Sequence, residues 1–225
     1  MISKFYITTT ISLVSILAIG ILSWFLSSIQ LLVIGISCVI LIHQSFFVYG
    51  MFSIRSNFFF KTIKGKEFFE NKNGILFRFD DGPNPIYTPQ ILDILKAEGI
   101  RALFAVTGKN AEQYPEIVER IFRENHIIAN HTYTHPLNIL FLGYHKVRDE
   151  IIRTNSIIQR ITGEQPKYFC SPIGHKNPVI GRVIKEVGMI PVMWDIRTFG
   201  EYRSGSVHHQ IETKFRFYSR RTPCL

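Results

Sequence analysis

The chain is 225 residues long, carries a formal net charge of +9 and contains three cysteines. This length suffices for one medium-sized domain with a substantial core. Cys38, Cys170 and Cys224 have no spacing typical of a disulfide framework or of a Cys-x-x-Cys metal site, so both classes are excluded. The positive charge suits a surface near anionic lipid headgroups. Without a recognised motif or a basic-aromatic repeat, we expect no nucleic-acid partner.

Residues 1–54 are expected to form a membrane anchor. Between Phe5 and Ile54 there is no Asp, Glu, Lys or Arg, and one membrane-spanning helix needs about 20 apolar residues. We therefore predict two spans, Tyr6–Leu26 and Leu31–Met51, joined by a turn at Ser27-Ser28-Ile29-Gln30. The alternative is a cleaved signal peptide, which would have a shorter apolar core and then an Ala-x-Ala site that this sequence lacks.

The flanking charges leave open the side of the membrane on which the rest of the chain lies. Lys4 precedes the first span, whereas Arg55, Lys61, Lys64 and Lys66 follow the second. For a two-helix hairpin, the positive-inside rule places the following domain in the cytoplasm. One long tilted span, or a first segment that does not insert, would place it outside.

Residues 55–73 are predicted to be a polar juxtamembrane linker, and strand-like and helix-like segments alternate after it. The predicted strands are Gly74–Phe79, Ala102–Val106, Ile127–Ala129, Lys167–Phe169 and Ile190–Trp194. The predicted helices are Pro89–Glu98, Tyr114–Asn125, His145–Thr162 and Asn177–Val187. This alternation predicts a parallel α/β architecture, in which reactive residues follow the carboxyl ends of strands. The candidates at such positions are Asp80, Asp81, His131, Pro172 and Asp195.

Two adjacent carboxylates lie on a Gly-Pro turn in Phe79-Asp80-Asp81-Gly82-Pro83. Neighbouring strand residues point in opposite directions, but a turn at a strand end can bring both side chains into one pocket. One carboxylate would then bind a metal and the other would accept a proton from water. The alternative is an ordinary surface turn, since Asp, Gly and Pro are all common in turns.

His131 and His135 lie four residues apart, which on a helical turn would place both imidazoles on one face as paired metal ligands. With one carboxylate they supply three ligands and leave a coordination position open, as a catalytic metal requires. The alternative is a pair of surface or packing histidines. The histidines without a comparable signal are His43, His126, His145, His175, His208 and His209.

The two motifs in this order resemble the polysaccharide deacetylase family, also called the NodB-homology domain or carbohydrate esterase family 4. The segments that carry the resemblance are Phe79–Pro85, Gly108–Asn110, Asn130–His135 and Pro172–Gly174. The resemblance implies an α/β fold, a distorted (β/α) barrel with an incomplete ring. The deacetylase domain would occupy residues 74–200 and an atypical tail residues 201–225. The apolar segment before the domain resembles the anchor of membrane-anchored members of the family.

The resemblance also implies roles for the site residues. Asp80 is the implied general base, and Asp81, His131 and His135 are the implied ligands of a divalent metal, with zinc expected. The implied substrate-binding residues are Pro172, Ile173, Gly174 and Trp194. The implied reaction removes N-acetyl groups from a polysaccharide that contains N-acetylglucosamine. By analogy with the family, the domain would lie outside the cytoplasm.

Several positions depart from the family pattern. Cys170 stands where an arginine usually orients the base, and Gly200 stands where the aspartate paired with that arginine is usual. Asp195 and Arg197 are candidates to compensate in part. Two further departures are Arg78 in place of a small threonine and Ile173 in place of an aromatic residue.

The tail after Gly200 lacks the apolar strand and the general-acid histidine of the family, because neither His208 nor His209 has the required context. It resembles the product of a truncation or a shifted reading frame. Three hypotheses therefore stand: an active deacetylase, a catalytically impaired domain that binds metal or glycan, and an acetyl-ester hydrolase. An ester has a better leaving group and needs less assistance from a general acid.

Overall fold

The computed structural model describes residues 3–69 and 75–195, in which a helical pair is followed by alternating strands and helices. The helices are α1 (Lys4–Phe25), α2 (Ile29–Phe52), α3 (Tyr87–Ala97), α4 (Gly108–Gln113), α5 (Pro115–Arg123), α6 (Tyr144–Thr162) and α7 (Pro178–Val187). The strands are β1 (Arg78–Gly82), β2 (Leu103–Val106), β3 (Ile127–Asn130), β4 (Tyr168–Phe169) and β5 (Ile190–Pro191). Short 3₁₀ turns lie at Gly65–Phe68, Ile139–Phe141 and Pro172–Gly174.

Helices α1 and α2 form a hairpin at the two predicted segments. The ring of Phe5, at the start of α1, lies 5.9 Å from the ring of Phe47, near the end of α2. Ser28 caps α2, because its side-chain oxygen accepts a hydrogen bond from the Leu31 N–H at 3.3 Å. The helices have mean hydropathies of 2.1 and 2.3, and both are long and apolar enough to cross a membrane. By length and composition alone, the segment also fits a signal sequence.

The five strands form one parallel sheet in the order β1-β2-β3-β4-β5. Each strand pairs with the next strand along the chain. A doubly wound sheet reverses its strand order at a switch point, whereas this sheet advances in one direction, as strands do around a barrel. The predicted parallel α/β architecture is therefore confirmed.

The two faces of the sheet contact different groups of side chains. On β2, Phe104 and Val106 pack with residues of α3, α5 and α6 on the outer face. Leu103 and Ala105 point to the opposite, inner face, where they cluster with Cys170. Both β2 and β3 are buried along their whole length, which explains their nearly continuous apolar sequences.

The observed elements differ from the predicted ones mainly at their bounds. Strand β1 begins at Arg78 rather than at Gly74, which lies outside the described residues. Strand β5 ends at Pro191 rather than at Trp194. The next residue, Val192, pairs with Ile63 in an isolated bridge. The sequence analysis missed α4, whose six residues are too few to show an apolar period.

The segment predicted as a polar linker packs against the domain. Ile63 adds to the edge of the sheet: its N–H donates to the Pro191 carbonyl at 2.9 Å, and its carbonyl accepts from the Met193 N–H at 2.8 Å. The side chains of Phe58 and Phe59 are buried. The segment is therefore held by backbone pairing, by buried aromatic side chains and by an ion pair between Lys64 and Asp195.

Lys176 connects the end of α2 to the loop after β4. Its side chain is 1% exposed, and its ammonium donates to the carbonyls of Ser53 and Ser56 at 2.7 and 2.6 Å. Ser53 is the C-cap of α2, where unpaired carbonyls favour a positive charge. The helical hairpin is thus fixed to the domain by a buried cation.

Replacing Lys176 with Met should lower the thermal unfolding midpoint of the full chain in detergent micelles. The change leaves two carbonyls without their donor, at a cost of about 1–3 kcal/mol. Lys185→Met, at an exposed position of α7, is the control and should leave the midpoint nearly unchanged. Equal midpoints for the two variants would contradict a stabilising role for Lys176.

Candidate active site

Asp81, His131 and His135 converge at the carboxyl ends of β1 and β3. Asp81 Oδ1 lies 3.2 Å from Nε2 of His131 and 3.2 Å from Nε2 of His135. One ligand atom from each residue lies within 4.8 Å of the others. Two ligands bound to one zinc ion at about 2.0–2.2 Å lie roughly 3–3.5 Å apart. The three side chains therefore fit a divalent metal.

The backbone at the end of β1 separates the two neighbouring carboxylates. The pairing with β2 shifts register between Phe79 and Gly82, and Asp81 adopts a left-handed backbone conformation with φ of 66°. Asp is one of the few non-glycine residues enriched in this conformation. Asn110 holds it in place by donating from Nδ2 to the Asp81 carbonyl at 2.8 Å. As a result, Asp81 faces the histidines while Asp80 faces a different partner.

His131 directly follows β3 and is almost completely buried, with 2% of its surface exposed. Its Nδ1 lies 2.7 Å from the carbonyl oxygen of Cys170. Since a carbonyl can only accept, Nδ1 carries the proton and Nε2 presents its lone pair to the site. A backbone carbonyl behind a ligating histidine is a common way of fixing ring orientation in metal sites.

The expectation that His131 and His135 lie on one helical turn is wrong. The segment between them is a loop in which Thr132 and His135 have positive φ of 65° and 55°. His135 also precedes Pro136, and a residue before proline disfavours the helical conformation. The imidazoles meet because the loop folds back, with ring centroids 4.8 Å apart.

Glu150, on α6, holds this loop. Its carboxylate accepts hydrogen bonds from the backbone N–H of Tyr133 and of Thr134, both at 2.8 Å, and from the Thr134 hydroxyl at 2.8 Å. Asn130 adds a fourth contact by accepting from the Thr132 N–H at 2.8 Å. The sequence analysis missed Glu150, since nothing in the local sequence links a residue of α6 to His135.

The electrostatics of Asp81 and His135 favour the protonation states that metal binding needs. The close approach of His131 lowers the pKa of Asp81, more strongly than partial burial raises it. Burial lowers the pKa of His135, and the proximity of His131 lowers it further. A carboxylate and neutral imidazoles are the forms that ligate a metal.

Asp80 is bound by Arg78 through two parallel hydrogen bonds. Nε donates to Oδ1 at 2.6 Å and Nη2 donates to Oδ2 at 2.9 Å. The expected compensation by Asp195 does not occur, because its Oδ1 lies 2.8 Å from the ammonium of Lys64. Arg197 lies outside the described residues. Alternation along a strand places residues two apart on one face, so the Arg-x-Asp spacing was the signal that could have identified Arg78.

The predicted substrate-binding residues lie beside the site. Pro172 and Gly174 are buried, and Ile173 projects between them with 41% of its surface exposed and φ of 55°. A Cβ at Gly174 would come within 2.6 Å of the Trp194 ring, so only glycine permits this close packing. The loop adjoins His131 through the Cys170 carbonyl.

An open cavity of about 190 Å³ borders the cluster. Its lining includes Asp81 and His135 together with the polar side chains of Lys109 and Asn110. An extended polar molecule could therefore reach the candidate ligands from solvent.

A sequence model described as polysaccharide deacetylase matches residues 70–192. The chain belongs to the polysaccharide deacetylase family. It is 39% identical over 128 residues to a peptidoglycan-N-acetylglucosamine deacetylase of Bacillus cereus, covering 57% of this chain and 46% of the relative. It is 31% identical over 128 residues to a chitooligosaccharide deacetylase of Azorhizobium caulinodans, covering 56% of this chain and 60% of that relative.

The structure of the peptidoglycan deacetylase PdaC from Bacillus subtilis is similar, with a TM-score of 0.57 and 30% identity over 61% of this chain and 67% of that one. This similarity supports the same parallel α/β fold. The chain spans less than two thirds of the length of the curated relatives named above.

Replacing Glu150 with Ala should weaken zinc binding by about 10–100-fold, the usual effect of removing a residue that orients a ligand. The loop that carries His135 would lose three hydrogen bonds. The measurement is competition for Zn²⁺ against a chromophoric chelator. Asp149→Ala, at the neighbouring exposed position of α6, is the control. If both variants bind zinc like the unmodified chain, Glu150 does not support the site.

Proposed function

We propose that this protein is a metal-dependent deacetylase that removes N-acetyl groups from glycans containing N-acetylglucosamine. The observation that carries the proposal is the convergence of Asp81, His131 and His135 beside a carboxylate, Asp80, that does not share their contacts. The similarity to a peptidoglycan deacetylase and a chitooligosaccharide deacetylase supports this substrate class.

In the proposed site, Asp81, His131 and His135 hold zinc. Two imidazoles, one carboxylate and an open position form a donor set that catalytic zinc sites use. A metal held there would polarise the acetamide carbonyl. Asp80 would accept a proton from the attacking water, and the bond between the carbonyl carbon and the nitrogen would break. The amine of the sugar would leave and take up that proton, and acetate would be the other product.

The substrate would bind in the open cavity lined by Asp81 and His135, and it would extend over the cluster to the loop of Pro172, Ile173 and Gly174. Ile173 is exposed there but has no hydrogen-bonding group in its side chain. The backbone N–H of this loop would therefore stabilise the oxyanion, and Trp194, packed against Gly174, would form the adjoining wall.

We also propose that residues 1–54 anchor the protein in a membrane through α1 and α2. Residues 55–73 connect the anchor to the deacetylase domain at 74–200, and residues 201–225 form the tail. The exposed apolar side chains of both helices support the anchor, since lipid chains would cover them. Because cell-envelope glycans are the proposed substrate, the domain would lie outside the cytoplasm.

The test is acetate release from N-acetylglucosamine oligomers by the full chain in detergent, loaded with Zn²⁺. Asp80→Asn should reduce the rate by about 10²–10⁴-fold, the usual contribution of a general base. The control is Asp93→Asn, which alters a side chain with 69% exposure on α3 and should keep the full rate. Removal of the metal with a chelator should abolish the release in every variant.

Two other results would overturn the proposal. Release no faster than that of Asp80→Asn, with zinc still bound, would indicate an impaired domain that retains its metal. Release from acetylxylan without release from the amide substrate would indicate an acetyl-ester hydrolase.

A further inference from the structure

Arg78 makes three contacts that together fix the plane of its guanidinium group. Nε and Nη2 bind the two oxygens of Asp80 at 2.6 and 2.9 Å. Nη1 donates to the carbonyl of Val192 at 3.3 Å. The guanidinium carbon lies 5.0 Å from the ring centroid of Trp194, within the range of a cation–π contact. Because Val192 fixes one edge of the guanidinium and Trp194 covers its face, the guanidinium can hold a carboxylate in one orientation.

We propose that Arg78 is the positioning residue of Asp80 and replaces, from β1, the arginine that the family resemblance leads one to expect at Cys170. This inference rests on the proposed function, in which Asp80 is the general base. No other contact of the Asp80 carboxylate among the described residues offers a comparable restraint.

The fold allows Arg78, on β1, to reach the same space as a side chain at position 170, which directly follows β4. Arg78 pairs in register with Leu103, so its side chain lies on the inner face, where Cys170 and Val192 also lie. Because β1 and β5 are the two ends of the strand order, the contact with Val192 connects the first strand with the chain after the last strand. A guanidinium entering from position 78 or from position 170 would therefore reach the same inner space.

Cys170 leaves this space to Arg78. Its side chain is fully buried and clusters with Leu103 and Val192 on the inner face. A thiol has no pair of oxygens that could replace the Asp80 carboxylate as the partner of the guanidinium. It is also small enough to leave room for the side chain of Arg78.

Positioning matters because Asp80 is the immediate neighbour of a candidate metal ligand. A free carboxylate at position 80 would be attracted to a cation held by Asp81 and the histidines, and would then be unable to accept a proton. The two bonds from Arg78 oppose that rotation. A displacement of about 1 Å in a catalytic group can reduce the rate by 10²-fold.

The first experiment measures kcat and KM for acetate release from N-acetylglucosamine oligomers by the full chain. Arg78→Thr should reduce kcat by about 10²-fold and change KM by less than about twofold, since Arg78 does not line the cavity. Arg78→Lys should recover little, because an ammonium cannot make the paired contact. The control is Arg148→Thr, which removes an exposed ion pair with Glu186 and should leave kcat unchanged.

Moving the arginine from position 78 to position 170 tests whether the two positions are equivalent. Arg78→Thr combined with Cys170→Arg should recover at least a tenth of the original kcat. A folded double variant as slow as Arg78→Thr alone would overturn the equivalence of the two positions. An unchanged kcat in Arg78→Thr would overturn the positioning role.

A second measurement separates this inference from the proposed function. Thermal unfolding midpoints of Arg78→Thr, Asp80→Asn and their combination form a double-mutant cycle that needs no activity. The combined shift should be smaller than the sum of the single shifts. Additive shifts would overturn the pairing. An intact coupling in a chain that releases no acetate would overturn the deacetylase function while supporting the pairing.

Discussion

The parallel pairing of neighbouring strands is the constraint on which the site depends. Asp81 and His131 are far apart in the sequence, yet Asp81 lies at the end of β1 and His131 directly follows β3, and both strands end at the same edge of the sheet. Because β2 lies between β1 and β3 in full register with β3, the ends of the first and third strands are held at a constant separation. The candidate metal cluster is therefore a consequence of strand order, completed by short loops.

These loops need hydrogen bonds from neighbouring elements because their own conformations are unfavourable for L-residues. Asp81, Thr132 and His135 have positive φ, which costs free energy in the absence of compensating contacts. Asn110 binds the end of β1, and Glu150 binds the loop after β3. The site is thus supported by α4 and α6, two helices that supply no candidate ligand.

The helical hairpin at the amino terminus is also joined to the domain by hydrogen bonds. The ammonium of Lys176 joins the end of α2 to the loop that follows Pro172, Ile173 and Gly174. In the same connecting segment, Ile63 extends the sheet at β5. In the proposed membrane-anchored protein, the orientation of the domain relative to the anchor would therefore be fixed by contacts rather than left to a free tether.

The choice of Asp81 rather than Asp80 as a ligand came from the family resemblance. The sequence itself determined the strand–helix alternation, the two apolar helices and the two motifs that hold the candidate ligands. These depend on local composition, on periodicity and on residues that follow strand ends. It did not determine the loop between the histidines, because the conformation of His135 depends on a carboxylate from α6. Nor did it show what binds Asp80, although Arg78 lies only two residues away. Only the tertiary structure decided this, since the guanidinium is oriented by Val192 and Trp194 from the other end of the sheet, and such distant contacts leave no periodic pattern in the sequence.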